Sequence, residues 1–159
     1  MTDSFILCWW IMMQIIAPTQ DPVSPGYKKQ LGKTIMERVV QCEQLHDHAV
    51  KHDVSRYLVL SLAFHESKFM RTAISTKGAV GAMQIMPQYK PCAKCSDAEN
   101  GVMMIKKMLD DHDGDECKAI GFYATGKVLP RCGKYGNSIR AFATEIYDYA
   151  VLMGIDEGC

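Results

Sequence analysis

The chain has no surplus of charge of either sign: 18 Lys and Arg balance 18 Asp and Glu, for a formal net charge of zero. Sequence-independent nucleic-acid binding rests on a row of phosphate-neutralising cations, so nucleic acid is excluded as an expected partner. A bilayer-spanning run is missing as well. The longest apolar stretch, "FILCWWIMMQIIA" over residues 5–17, is thirteen residues long, and a spanning helix needs about 20. No internal repeat appears, which excludes a solenoid or propeller. The most informative gap is local. From Val54 to Ser96 the chain carries one acidic residue, Glu66, although acids are frequent elsewhere. Paired carboxylates adjacent in sequence are therefore absent from this region, while most glycoside-cleaving sites use two.

What is present reads as one ordinary globular domain: 159 residues, 48% apolar and 23% charged, enough for a single core and too short for two. The class is mainly α, a single domain of about six helices with an N-terminal hydrophobic segment. The apolar head, residues 1–20, is set off by "PTQDPVSPG", so the division reads as head 1–20, linker 21–30 and domain 31–159. Thirteen residues is the length of a signal-peptide core, and Ala17 offers a small residue for cleavage. Asp3 and the lack of any Lys or Arg before Phe5 run against that pattern. An export signal or membrane-interacting segment, or a helix packed on a partner, are the readings this head allows.

Seven cysteines point to an oxidising compartment. With Cys8 set apart in the head, Cys42, Cys92, Cys95, Cys117, Cys132 and Cys159 form an even set. At least one disulfide is expected among Cys92, Cys95, Cys117 and Cys132, and a zinc knuckle built from the same four is the rival. The connectivity is left open.

Thr34 and Glu37 predict a capping box opening a helix to about Val50. Asp53 is the expected N-cap of a helix whose second half, Leu58–Phe64, is apolar nearly all round and so buried on several sides. Glu66 ends it. "STKGAVG" predicts an irregular loop or short ribbon, "AMQIM" a helical turn ended by Pro87, and Ser96 with Glu99 a second capping box. Gly126 and Gly154 suit helix ends, with Ile139, Phe142, Ile146 and Met153 on one face of the last helix. The acidic run at 110–116 lacks calcium-loop spacing and reads as a polar turn. The Cys42–His46 and His48–His52 pairs lie on different faces of their helix, which reads as exposed rather than metal-binding.

A carboxylate joined to an apolar helix is costly to ionise, so burial raises its pKa and prepares it to donate a proton. The bland reading is that Glu66 caps a helix end or pairs with Lys68 or Arg71. Its surroundings decide otherwise. "ESKF…A.S..GA.G.MQ..P", through Glu66, Ser67, Phe69, Ala73, Ser75, Gly78, Ala79, Gly81, Met83, Gln84 and Pro87, resembles the catalytic signature of soluble lytic transglycosylases, relatives of goose-type lysozyme. "AIGFYATG", with Tyr123 and Gly126, resembles that family's Ala-Tyr-Asn-Ala-Gly segment, with Ala124 where the family usually has Asn. The resemblance is strong over about 63–87, weaker over 97–153 and absent before residue 30.

The resemblance implies a lysozyme-like fold and a peptidoglycan lytic transglycosylase. Glu66 would be the catalytic acid and then base at the bond between N-acetylmuramic acid and N-acetylglucosamine. Attack by the muramyl C6 hydroxyl would leave a 1,6-anhydro end, with the substrate's N-acetyl group supporting the cation, so that one protein carboxylate suffices. Ser67, Ser75, Gly81, Met83, Gln84 and Tyr123 would bind substrate. No metal or other cofactor is implied. The partners expected are peptidoglycan glycan strands and, through the apolar head, a phage tail or virion or an envelope secretion assembly. The place of work would be the periplasm or cell wall, or a virion. A hydrolytic lysozyme and a non-catalytic glycan-binding component of such an assembly are the alternatives. Lys68, Arg71, Lys77, Lys90 and Lys94 make the segment locally basic, either to attract stem-peptide and lactyl carboxylates or simply as a solvated face.

Overall fold

The structure is a computed structural model that describes residues 1–16 and 25–155, with side chains for all of them except 25–33. The Ala17 cleavage position, residues 21–24 of the expected linker, and Cys159 lie outside the described residues. Among those described, six α-helices form one lysozyme-like α domain: α1 Asp3–Ile16, α2 Pro25–Lys51, α3 Arg56–Ser67, α4 Asp97–Asp111, α5 Glu116–Thr125 and α6 Lys134–Leu152. No helix among them is long and apolar enough to cross a membrane.

The buried stretch expected in α3 is there. Leu58, Val59, Leu60, Ser61, Leu62 and Ala63 are all buried, and each large aliphatic among them contributes roughly 1.5–3 kcal/mol. This makes α3 the central rod, packed between α2 and α6. Its one buried hydroxyl is satisfied across the interface, with Ser61 Oγ donating to the Ile139 carbonyl of α6 at 2.6 Å. On the other side α4 joins α2 to α5, with Val102 and Ile105 fully buried.

Several local expectations give way. Helix α2 begins at Pro25, not Thr34. Proline read as linker punctuation, yet at the first helical position its missing N–H costs nothing. Thr34 is thus inside the helix. Ser55, rather than Asp53, caps α3 by accepting from Leu58 N, while Asp53 takes a left-handed φ of 54° in the connecting turn. "AMQIM" is not helical: Val80 and Ile85 exchange N–H and carbonyl groups, and Pro87 opens a 3-10 turn through Tyr89 instead of ending a helix. The Ser96 cap is formed, accepting from Glu99 N at 3.1 Å. The Glu99 carboxylate does not complete the box, because Lys51 and His52 at the end of α2 hold it at 2.7 and 2.9 Å. Gly126 ends α5 in the left-handed region, and Gly154, at φ 65°, follows α6. Met153 is 50% exposed, so the face expected of α6 stops short of it.

Three disulfides join Cys8–Cys42, Cys92–Cys95 and Cys117–Cys132. The last two lie within the set expected to pair. The first corrects the separation of Cys8 from the other cysteines, since it bonds α1 to α2. Leu7, Cys8, Ile11 and Met12 of α1 are fully buried, and Trp10 stacks on Tyr149 of α6 at 4.6 Å between centroids.

Candidate active site

Glu66 sits in the last turn of α3, half-buried. The helix stops because Lys68 adopts φ 53°, ψ 43° and donates its N–H to the Phe64 carbonyl. Phe69 follows with φ 62° and is wholly buried. Two consecutive left-handed residues without glycine are costly, on the order of 1–3 kcal/mol each, and the burial of Phe69 helps to offset that cost. The result is a sharp reversal immediately after the acid, which leaves Glu66 in the last turn of the helix.

That ribbon runs from Ala73 to Ile85, with antiparallel bridges pairing Ile74 with Val80 and Val80 with Ile85. Ser67 fastens it to α3: its Oγ donates to the Ala82 carbonyl at 2.7 Å and accepts from Met70 N at 3.0 Å. Ser75 shapes the ribbon's own turn, its Oγ accepting from Ala79 N at 3.0 Å. Gly81 has φ +79°, and a Cβ there would lie 2.9 Å from Asp97 Cβ, so the ribbon packs against α4 only with glycine at this point. Gln84 has φ 50°, and its Nε2 donates to the Gly81 and Ala73 carbonyls at 2.8 and 3.3 Å. Met83 is a correction. Its side chain, expected to line the sugar groove, is fully buried against Gly101, where an added Cβ would lie 2.3 Å from Met83 Cβ. Only its backbone faces the site, and there its carbonyl accepts a 2.7 Å hydrogen bond from Tyr123 Oη. The expected residues therefore lie on the end of α3, on the ribbon and on α5. Ser67 and Tyr123 tie the ribbon to those two helices, and Ser67, Ser75 and Gln84 spend hydrogen bonds on building it.

The electrostatics follow from this enclosure. Burial raises the Glu66 pKa above the ordinary carboxylate range, and a hydrogen bond from Tyr135 works in the opposite direction. Tyr135 Oη donates to Glu66 Oε1 at 2.6 Å. Burial likewise pushes the Tyr123 phenol well above its usual value, with the Glu66 charge adding to the effect. Tyr135 is raised by burial and by its bond to Glu66. Both phenols thus remain protonated donors. Beside them His65 Nδ1 lies 2.7 Å from the Ser61 carbonyl, which fixes the proton on Nδ1, and its ring meets Tyr135 edge-on.

Sequence reading missed Tyr135. Tyr135 lies 69 positions from Glu66, in "GKYGNS", where no local pattern distinguishes it. Of the five local cations, Lys90 is held by Asp97 at 2.5 Å, and Lys68 Nζ lies over the Phe64 ring at 4.0 Å.

The site thus joins a half-buried carboxylate in the last turn of a buried helix, a tyrosine hydroxyl bonded to it, and a ribbon fastened to the same helix through Ser67. The transglycosylase SLT domain family matches residues 44–138, more than half of the chain, and the chain belongs to that family. Its general function is accordingly that of a lytic transglycosylase acting on peptidoglycan. No solved structure matches the chain.

Proposed function

We propose that the protein cleaves the β-1,4 bond between N-acetylmuramic acid and N-acetylglucosamine, leaving a 1,6-anhydromuramyl end. The observation that carries this reading is the setting of Glu66 in the last turn of α3, where burial raises its pKa and Tyr135 bonds one of its oxygens. Glu66 gives its proton to the glycosidic oxygen as the C1–O bond breaks. The resulting carboxylate then takes the proton of the muramyl C6 hydroxyl as that oxygen closes on C1. Glu66 ends the cycle protonated again, and no water is consumed. Tyr135 stabilises the carboxylate between the two transfers.

The work would be done outside the cytoplasm, in the periplasm or cell wall or from a virion. Three disulfides, which persist in oxidising compartments, support that placement. A phage tail or virion, or an envelope secretion apparatus, would use a small domain of this kind to open the wall locally. The outer side of α1, where Trp9 and Met13 are 42% and 41% exposed, supports contact with such an assembly.

Purified sacculi digested by the full chain should release glycans whose ends resist borohydride and weigh one water less than hydrolytic ends. Glu66→Gln keeps size and hydrogen bonding but removes the transferable proton, and it should lower turnover by about 10²–10⁴-fold with the fold intact. Reducing ends would make the protein a hydrolytic lysozyme. Glycan binding without release of any fragment would make it a structural binder.

A further inference from the structure

The family match begins at residue 44, yet a residue before it reaches the end of α3. Arg38, half-buried on α2, donates from Nη1 to the Lys68 carbonyl at 3.0 Å. Lys68 is the left-handed residue that stops α3, two positions after Glu66. The last carbonyls of a helix have no partner within it, and here the reversal through Lys68 and Phe69 turns one of them toward α2. A guanidinium is suited to hold such an oxygen, because its charge strengthens the bond and its planar fork is already organised.

The clamp itself is firmly based. Val39 and Cys42, one and four positions after Arg38 on α2, are fully buried, and Cys42 is bonded to Cys8 of α1. The same hairpin supports the far side of the turn. Trp10 of α1 stacks on Phe142, which lies 4.5 Å between centroids from Phe64, the residue whose carbonyl accepts the Lys68 N–H. Arg38 thus holds the turn after Glu66 directly, and Trp10 supports it at one remove through Phe142.

We propose that Arg38 is a positioning residue for Glu66, holding the Lys68 carbonyl so that the last turn of α3 presents the carboxyl at a fixed height beside Tyr135. This rests on the transglycosylase reading above. Arg38 touches neither Glu66 nor substrate in this role, and it acts on the chemical step through the backbone. Its loss should therefore appear in kcat more than in KM.

The test uses the full chain with solubilised glycan strands, and compares the wild type with Arg38→Met and Arg38→Lys, each also followed by thermal melting. Methionine keeps an apolar stem without a donor, and misplacement of a catalytic group by about 1 Å can cost about 10²-fold, so kcat should fall by roughly that factor. KM should stay within about threefold, since uniform binding is untouched. Lysine offers a compact ammonium in place of a planar fork, and its kcat should be intermediate, down about tenfold. Should Arg38→Met fail to fold, Arg38→Lys carries the test. A folded Arg38→Lys or Arg38→Met variant with wild-type kcat, or one that loses only KM or only melting temperature, would overturn the assignment. A wild-type chain without turnover would overturn the activity instead, and this inference with it.

Discussion

Replacing Tyr135 with Phe removes one oxygen atom and tests the electrostatic account of Glu66 directly. The hydroxyl donates to Glu66 Oε1 at 2.6 Å, and it therefore stabilises the ionised carboxylate more than the protonated acid. Hydrogen bonds to charged groups contribute about 1.5–3 kcal/mol. Tyr135 is 38% exposed, so solvent screening places this one near the lower end, about 1.5 kcal/mol. That stabilisation is present in the transition state, where Glu66 is becoming a carboxylate, and it is absent while the acid holds its proton. Its loss should slow the plateau rate by about tenfold, since 1.36 kcal/mol is one decade.

The pH profile should move in a direction that a general loosening of the site would not produce. Activity requires protonated Glu66, so it declines as pH rises through the Glu66 pKa. Burial already raises that pKa, and the bond from Tyr135 opposes the rise. Without the bond the pKa climbs further, so Tyr135→Phe should be a slower enzyme whose activity extends to higher pH. The measurement is kcat/KM on solubilised glycan strands across the acidic to mildly alkaline range, which reports the free enzyme. An alkaline limb that moves to lower pH, as water entry at a loosened site would cause, would refute the reasoning. So would an unchanged plateau.

The disulfides should rank by the chain they close: with sequence separations of 34, 15 and 3, loop entropy assigns about 4, 3 and 2 kcal/mol to Cys8–Cys42, Cys117–Cys132 and Cys92–Cys95. Denaturant titration of the three paired Cys→Ser variants checks the order, and it fails if loss of Cys8–Cys42 costs least. The Glu99 carboxylate is held down to about 2 by hydrogen bonds from Lys51 and then His52. A depressed carboxylate contributes stability that is full above its unfolded value and is lost as pH falls through the folded one. Glu99→Gln should therefore be less stable than wild type near neutrality, with the difference vanishing between pH 4.5 and about 2. A difference that persists at the acid end of that window would mean the ion pairs are not its source.

How much of this was legible in the sequence depended on whether a signal was local. The apolar run Leu58–Phe64 announced a buried helix because a helix solvated on one side cannot carry so many large aliphatics. Glu66 and the ribbon glycines were legible because their spacing is set within one short segment. Tyr135 was not, because its role is created when α6 lies against α3, as the Ser61 to Ile139 hydrogen bond shows. Cys8 looked like part of a separate head because an apolar run has the same composition whether it meets lipid or a core. The cap of α3 was misread by two residues for a similar reason. Asp53 and Ser55 both carry suitable oxygens, and the turn that gives Asp53 a left-handed φ is settled by how α2 meets α3. Met83 shows the limit of a motif. Its spacing places the residue in the ribbon, but the contact with Gly101 decides which way the side chain points.

The strain around the site has a physical purpose that links these pieces. Lys68, Phe69 and Gln84 all take positive φ without being glycine, and each such residue costs on the order of 1–3 kcal/mol. All three belong to the reversal and ribbon that follow Glu66, and each is held by something specific. Arg38 holds the Lys68 carbonyl, the core holds Phe69, and the Gln84 side chain bonds the ribbon's own carbonyls. A relaxed loop after α3 would let water reach the carboxyl and lower its pKa toward the ordinary range. On the proposed mechanism, an acid that gives a proton and then takes one back needs its height and its solvation fixed through both transfers. The strained reversal supplies both conditions, and the contacts that stabilise it extend from the family's matched span back to the disulfide between α1 and α2.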